Sequence, residues 1–193
     1  MPGIFTKMNN LLQKELIGKN LRELHPDLPS GKFDKKEAFL KSAPIPNHGR
    51  SFVSGRLDLL TTFEDGTHGI IDLKITDQKS DDLYKFSTQL HAYKFALENP
   101  AVDQEKMVDK ISIIGLLIVS PEAVELKDGR VIFHTAPQWI PLEQDLSNFF
   151  SFIDQVTEFL DQPIPGVSDK CAWCTYRAIT GNGTSPNTSN LPF

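Results

Sequence analysis

Cysteine is scarce in this chain: Cys171 and Cys174 are the only two in 193 residues. A disulfide scaffold of the kind that staples small secreted domains is therefore excluded. No apolar run approaches the roughly 20 residues that a membrane helix needs. The longest, Ile111 to Val119, is interrupted by Ser112 and Gly115. The opening Met1-Pro2-Gly3-Ile4-Phe5 lacks the basic-then-apolar layout of a signal peptide. With no disulfides and no membrane segment, a cytoplasmic protein is the expectation. Positive charge is not in excess either: 20 Lys and Arg face 25 Asp and Glu, for a net charge of −5. A surface that coats nucleic acid all round is thereby disfavoured. No internal repeat is present.

What remains is the composition of a globular domain, 39% hydrophobic and 23% charged, long enough to bury a real core. The charge is unevenly spread. Residues 1–56 hold ten Lys and Arg against five Asp and Glu, leaving ten against twenty for the rest. A basic first third can face phosphates while the acidic remainder faces water; an ordinary solvated surface accounts for the same counts.

Apolar spacing predicts a helix over residues 6–24, ended by Pro26 and Pro29. Residues 30–50 read as a connection with a short helix near residues 35–40. Two β-rich runs, residues 52–63 and 69–75, flank the turn signal Glu64-Asp65-Gly66-Thr67. Ser80-Asp81-Asp82 caps the next helix, whose stripe is Leu83, Phe86, Leu90, Tyr93 and Leu97. Buried and shorter strands follow at residues 111–119 and 130–135, then an amphipathic helix over residues 141–160. The stretch 180–193 is expected to be a disordered tail behind a single domain, residues 1–179. The predicted class is α/β, a mixed β-sheet core flanked by helices.

The chemistry concentrates in the hairpin. Asp72 and Lys74 are two apart on one strand, so their side chains leave the same face, while Ile71, Leu73 and Ile75 fill the other. Asp58 interrupts the partner strand. If Glu64-Asp65-Gly66 is a three-residue loop with Gly66 left-handed, Phe63 pairs with Thr67 and Asp58 lies opposite Asp72. A two-residue Asp65-Gly66 turn puts the carboxylates on opposite faces. Carboxylates side by side repel unless a cation sits between them, and oxygen ligands with open positions suit Mg²⁺ or Mn²⁺. Lys74 is placed to steady charge on a phosphodiester transition state. An Asp-x-Lys alone is more often a surface ion pair.

Gly55-Arg56-Leu57-Asp58, then Ile70-Ile71-Asp72-Leu73-Lys74, then Gln89-Leu90-His91-Ala92-Tyr93 resemble the ordered motifs of the RecB-type branch of the PD-(D/E)XK nuclease superfamily. The resemblance implies a restriction-endonuclease-like fold and a Mg²⁺- or Mn²⁺-dependent DNA nuclease. It points to an exonuclease or DNA-end-processing enzyme working in DNA repair or recombination, with DNA as its partner. It gives Asp58 and Asp72 the metal, and Lys74, Gln89 and Tyr93 parts in catalysis. Gln89 and Tyr93 are i, i+4 neighbours on one helix face; in a purely structural reading Tyr93 joins the core stripe and Gln89 its solvated flank. Arg56 and Thr76 are candidates for phosphate contact.

Two departures from the family pattern matter. The upstream His or Glu that many relatives carry has candidates in Glu15, Glu23 and His25, and the sequence selects none of them. Cys171-Ala172-Trp173-Cys174 matches part of an iron–sulfur motif, but two thiolates cannot ligate a cluster within one chain. A structural pair, a metal site and a redox pair remain open for it. A catalytically weak nucleic-acid-binding or scaffold protein that retains the fold is the alternative function.

Overall fold

The computed structural model describes residues 3–76, 83–163, 166–168 and 170–179. The chain separates into two compact units, residues 1–154 and 155–193.

The first unit opens with α1 (Gly3–Leu16) and the single turn α2 (Leu21–Leu24). The helix expected over residues 6–24 is therefore broken. Gly18 takes the left-handed region, φ +80°, and its N–H leaves the helix to bond the Phe33 carbonyl at 2.8 Å. Asn20 then caps α2 through its side chain, accepting from the Arg22 N–H. Glycine just past a helix end is the usual device for such a stop.

Residues 30–50 hold no helix. Their first half is β1 (Gly31–Lys41), an edge strand antiparallel to β2 (Ser54–Phe63). Lys32, Lys35 and Lys36 are exposed along it, a pattern common on strands with one open edge. β2 turns into β3 (His68–Ile75), α3 (Leu83–Glu98) crosses over, and β4 (Ile111–Val119) lies parallel to β3. The protruding ribbon β5 (Pro121–Lys127) and β6 (Arg130–Thr135) precedes β7 (Gln138–Leu142), which returns antiparallel to β4. The main sheet runs β1-β2-β3-β4-β7, five strands and mixed. The helix expected from residue 141 starts later, as α4 (Leu146–Leu160), because Pro141 is held in the edge strand β7 opposite Gly115. The proposed cap at residues 80–82 and the tail from residue 180 lie outside the described residues.

Strand alternation sends side chains to two cores. Leu60, Ile70, Ile114, Leu116 and Ile118 pack with Leu90, Ala96 and Leu97 of α3. Leu59, Ile71, Leu73, Leu117 and Val119 pack with Leu16, Leu21 and Leu28 on the opposite face. Helices therefore cover both faces of the sheet. Lys94 of α3 is buried, its Nζ donating to Glu98 at 2.6 Å and to the Ile111 carbonyl at 2.9 Å. Glu98 accepts the Ile111 N–H at 2.8 Å, so the helix is tied to the start of β4 and the buried charge is paired.

In the second unit, α5 (Ala172–Ile179) begins at the cysteine pair. Among the described residues no helix is long and apolar enough to cross a membrane.

Candidate metal centre

The hairpin adopts the three-residue loop. Phe63 donates its N–H to the Thr67 carbonyl at 2.9 Å, and Gly66 sits at φ +80°. Asp65 accepts from both the backbone and the hydroxyl of Thr67, at 2.9 and 2.7 Å. The register follows: Thr62↔His68, Thr61↔Gly69, Leu60↔Ile70, Leu59↔Ile71. The next step along this register is Asp58 across from Asp72, and there the ladder ends. In place of a strand carbonyl, the Leu73 N–H finds Asp58 Oδ2 at 3.2 Å.

Asp58 also marks a break in β2. Leu57 and Leu60 both face the α3 core while Leu59 faces the other, so strict alternation fails between residues 57 and 60. Asp72 and Lys74 follow Ile70 onto the α3 side. Asp72 is 2% exposed, and its Oδ2 lies 2.6 Å from Lys74 Nζ. The Lys74 ammonium is thus the charge partner of this buried oxygen and lowers its pKa. Lys74 Nζ sits 4.7 Å from the centre of the Phe86 ring, a cation–π contact that holds it from the helix side.

Gln89 and Tyr93 meet on α3: the Gln89 amide donates to the Tyr93 hydroxyl at 2.9 Å. The Tyr93 ring lies against Gly55, where a Cβ would come within 3.0 Å of Cε1. The first glycine of the Gly55-Arg56-Leu57-Asp58 motif thus makes room for the tyrosine of the helical motif. Sequence reasoning missed this pairing, and it placed Phe86 in the core stripe without its contact to Lys74. The signal for Phe86 was its spacing, three before Gln89 and seven before Tyr93, which puts all three on one helix face.

The electrostatics are those of an underneutralised acidic site. Burial pushes the Asp58 carboxyl up to about 6, and the Asp72 charge adds to this. Lys74 and the Leu73 N–H oppose the rise; Glu37 contributes to it. Burial raises Asp72 as well, against the pull of Lys74. Tyr93 is raised by burial and by both aspartates, and lowered by Gln89 and Lys74. Its phenol therefore stays protonated.

A hard divalent cation fits this donor set. Asp72 and Asp58 are two buried or half-buried carboxylates that share one close cation, Lys74, so the pair is left with a net negative charge that a divalent ion would offset. Among the described residues no three His, Cys, Asp or Glu side chains group closely enough to hold a metal ion. None of the upstream candidates joins such a group. Glu15 pairs with Lys19 at 3.8 Å on the surface. His25 accepts the Asp27 N–H at 3.2 Å through Nδ1. Glu23 lies in the first turn of α2.

Arg56 is exposed on β2 across from Phe39. Thr76 is exposed just past the end of β3. Cys171 and Cys174 are free thiols, the Cys174 N–H reaching Cys171 Sγ at 3.4 Å. Hydrogen bonding from Cys174 lowers the Cys171 thiol below its usual range. Trp173 and Tyr176 stack beside them with ring centres 5.7 Å apart.

Comparison with known proteins yields a family model, that of the PD-(D/E)XK nuclease superfamily, matching residues 6–179. Among solved structures, one described as the crystal structure of SSO0001 is similar. It shows 14% identity and a TM-score of 0.44 over 92% of this chain and 71% of that one. No curated protein matches the sequence.

Proposed function

Given that the chain belongs to the PD-(D/E)XK nuclease superfamily, we propose that it hydrolyses DNA phosphodiester bonds at Asp58, Asp72 and Lys74 in the presence of Mg²⁺ or Mn²⁺. The observation that carries this is the end of the β2–β3 ladder beyond Leu59↔Ile71: there the buried Asp72 carboxylate pairs with Lys74 and lies close enough for its charge to raise Asp58.

In this reading Asp58 and Asp72 hold the cation, their remaining ligands being water and a phosphate oxygen. When bound, the cation polarises the phosphate and lowers the pKa of a coordinated water. Lys74, pinned between Asp72 and the Phe86 ring, bears on the attacking water and on the charge that grows at phosphorus. Tyr93 accepts its hydrogen bond from Gln89 and so keeps its own proton to donate to a phosphate oxygen. Arg56 and Thr76 are candidates for steadying the flanking backbone. Within the superfamily we favour an exonuclease or end-processing role of the kind that serves DNA repair or recombination. The motif trio of residues 55–93, similar to that of the RecB-type branch, supports it. A reducing cytoplasm suits a chain whose two cysteines are free thiols.

A second reading has support in one contact. Lys74 sits directly on Asp72 Oδ2, and a lysine locked there leaves a fold that binds nucleic acid and cuts weakly or not at all. Cleavage assays on linear and closed circular DNA, single- and double-stranded, separate the two. The enzyme cuts with Mg²⁺ or Mn²⁺, binds without cutting in Ca²⁺, stops in EDTA, and spares closed circles if it works from ends. Full cleavage in excess EDTA overturns the metal mechanism.

A further inference from the structure

β1 carries a conformational outlier. Glu37 sits at φ +52°, in a region that L residues other than Asn and Asp seldom enter, at a cost of about 1–3 kcal/mol. The pairs on either side, Lys36↔Leu59 and Ala38↔Leu57, set Glu37 directly across from Asp58. The two residues are therefore neighbours across the β1–β2 pair. Glu37 is half-buried, and among the described residues its carboxylate makes no hydrogen bond or ion pair. Its charge reaches Asp58, where it is repulsive.

A turn or bulge that merely needed a left-handed residue is served by Gly or Asn, without strain and without a third negative charge. Glutamate here has the opposite properties on both counts. The strain and the repulsion coincide at the point of the sheet where Asp58 leaves its ladder, beside the buried Asp72. Resting on the metal-dependent reading above, we propose that Glu37 is a third carboxylate of this centre. It accepts a hydrogen bond from a water on the cation, from the β1 side across Asp58. Carboxylates in that position tune affinity and orient the bound water. Glu37 is then a positioning residue.

Calorimetric Mn²⁺ titration and metal-free thermal unfolding, run on the full chain, test this with four variants. Glu37→Gly removes strain and charge, Glu37→Gln keeps the strain and removes the charge, Asp34→Asn removes a charge elsewhere on β1, and Asp72→Asn removes a proposed ligand. Glu37→Gly is expected to melt higher than wild type yet bind Mn²⁺ about 10-fold or more weakly, within the 10–100-fold range of such outer partners. Glu37→Gln is expected to weaken binding similarly, and Asp34→Asn not at all. Wild-type affinity in both Glu37 variants, with binding still lost in Asp72→Asn, overturns the role of Glu37 and leaves the metal reading standing. Equal weakening by Asp34→Asn overturns it too, by reducing it to diffuse charge. Wild-type protein that takes up no Mn²⁺, or Asp72→Asn that binds normally, overturns both.

Discussion

Gly55 and Tyr93 are in van der Waals contact across the first and third motifs, with room for no more than a hydrogen between them: a methyl on Gly55 would stand 3.0 Å from the Tyr93 ring. Gly55→Ala is therefore expected to push the ring off by a few tenths of an ångström and to carry the hydroxyl away from the aspartates. The fold tolerates so small a shift: an overpacking cost of about 1–3 kcal/mol is partly offset by the roughly 0.5–1 kcal/mol gained on replacing a strand glycine. Cleavage, which depends on where the hydroxyl points, is expected to drop about 10-fold or more. Parallel melting and turnover measurements check the contrast; a large loss of stability with unchanged turnover assigns the contact to packing alone.

Asp72→Asn and Lys74→Ala are expected to abolish cleavage by separate routes. Asp72→Asn loses Mn²⁺ binding in calorimetry, since the buried carboxylate is gone. Lys74→Ala frees Asp72 Oδ2 from its ion pair, so Mn²⁺ binds at least as well as in wild type, while turnover falls roughly 10²–10³-fold. Lys74→Ala protein that no longer binds Mn²⁺ contradicts these roles.

The proton on Asp58 links the site to stability. Its carboxyl titrates at about 6 in the fold and at 3.8 ordinarily, so between these values the folded chain holds a proton that the unfolded chain has released. The contribution to stability is full below about pH 4 and is lost as pH rises through about 6. Asp72, raised by burial, acts in the same sense. In metal-free buffer near pH 7, Asp58→Asn is expected to stabilise the protein by on the order of 1–2 kcal/mol after solvent screening. Below about pH 6, Mn²⁺ must displace that proton, and its apparent affinity is expected to fall about tenfold per pH unit. Urea melts and Mn²⁺ titrations from pH 4.5 to about 8 read both effects; flat curves contradict them.

Gln13 of α1 is fully buried with neither amide atom hydrogen-bonded. Gln13→Leu removes two desolvated polar atoms at nearly constant volume, beside Leu16 of the same helix and core. A gain of about 1–2 kcal/mol is expected in denaturant unfolding; destabilisation indicates an ordered water or a functional partner for the amide.

The placement of the side chains in the proposed centre was legible because it depends on local rules. Gly66 in a three-residue loop dictates the register, the register dictates that Asp58 meets Asp72, and period-2 alternation puts Lys74 beside them. β4 and β6 were legible to their end residues, the one continuous and apolar, the other announced by Asp128-Gly129. The misreadings fall where tertiary pairing overrules local pattern. β1 looks like a connection because an edge strand pairs on one side only and fills its open side with lysines. Its left-handed residue, Glu37, has no local signature at all. The α1 periodicity runs on past Gly18 because Leu21 belongs to the same core as Leu16, so the break is invisible until Phe33 claims the Gly18 amide. Pro141 suggests a helix start, and only the edge position of β7 explains it as strand.

The residues that meet at the centre, apart from Glu37, come from one uninterrupted run, residues 55–93, built as a hairpin and the helix after it. Substitutions elsewhere in the protein can lower the fraction folded, but they have little leverage on where these side chains stand relative to one another. Defects outside the run should therefore be temperature-sensitive and open to suppression by any second-site change that adds stability, such as Gln13→Leu. Defects inside it should persist in the cold and resist every global suppressor. A genetic screen for revertants would thus trace the outline of the centre, and Glu37 is the distant position expected to fall on its inside.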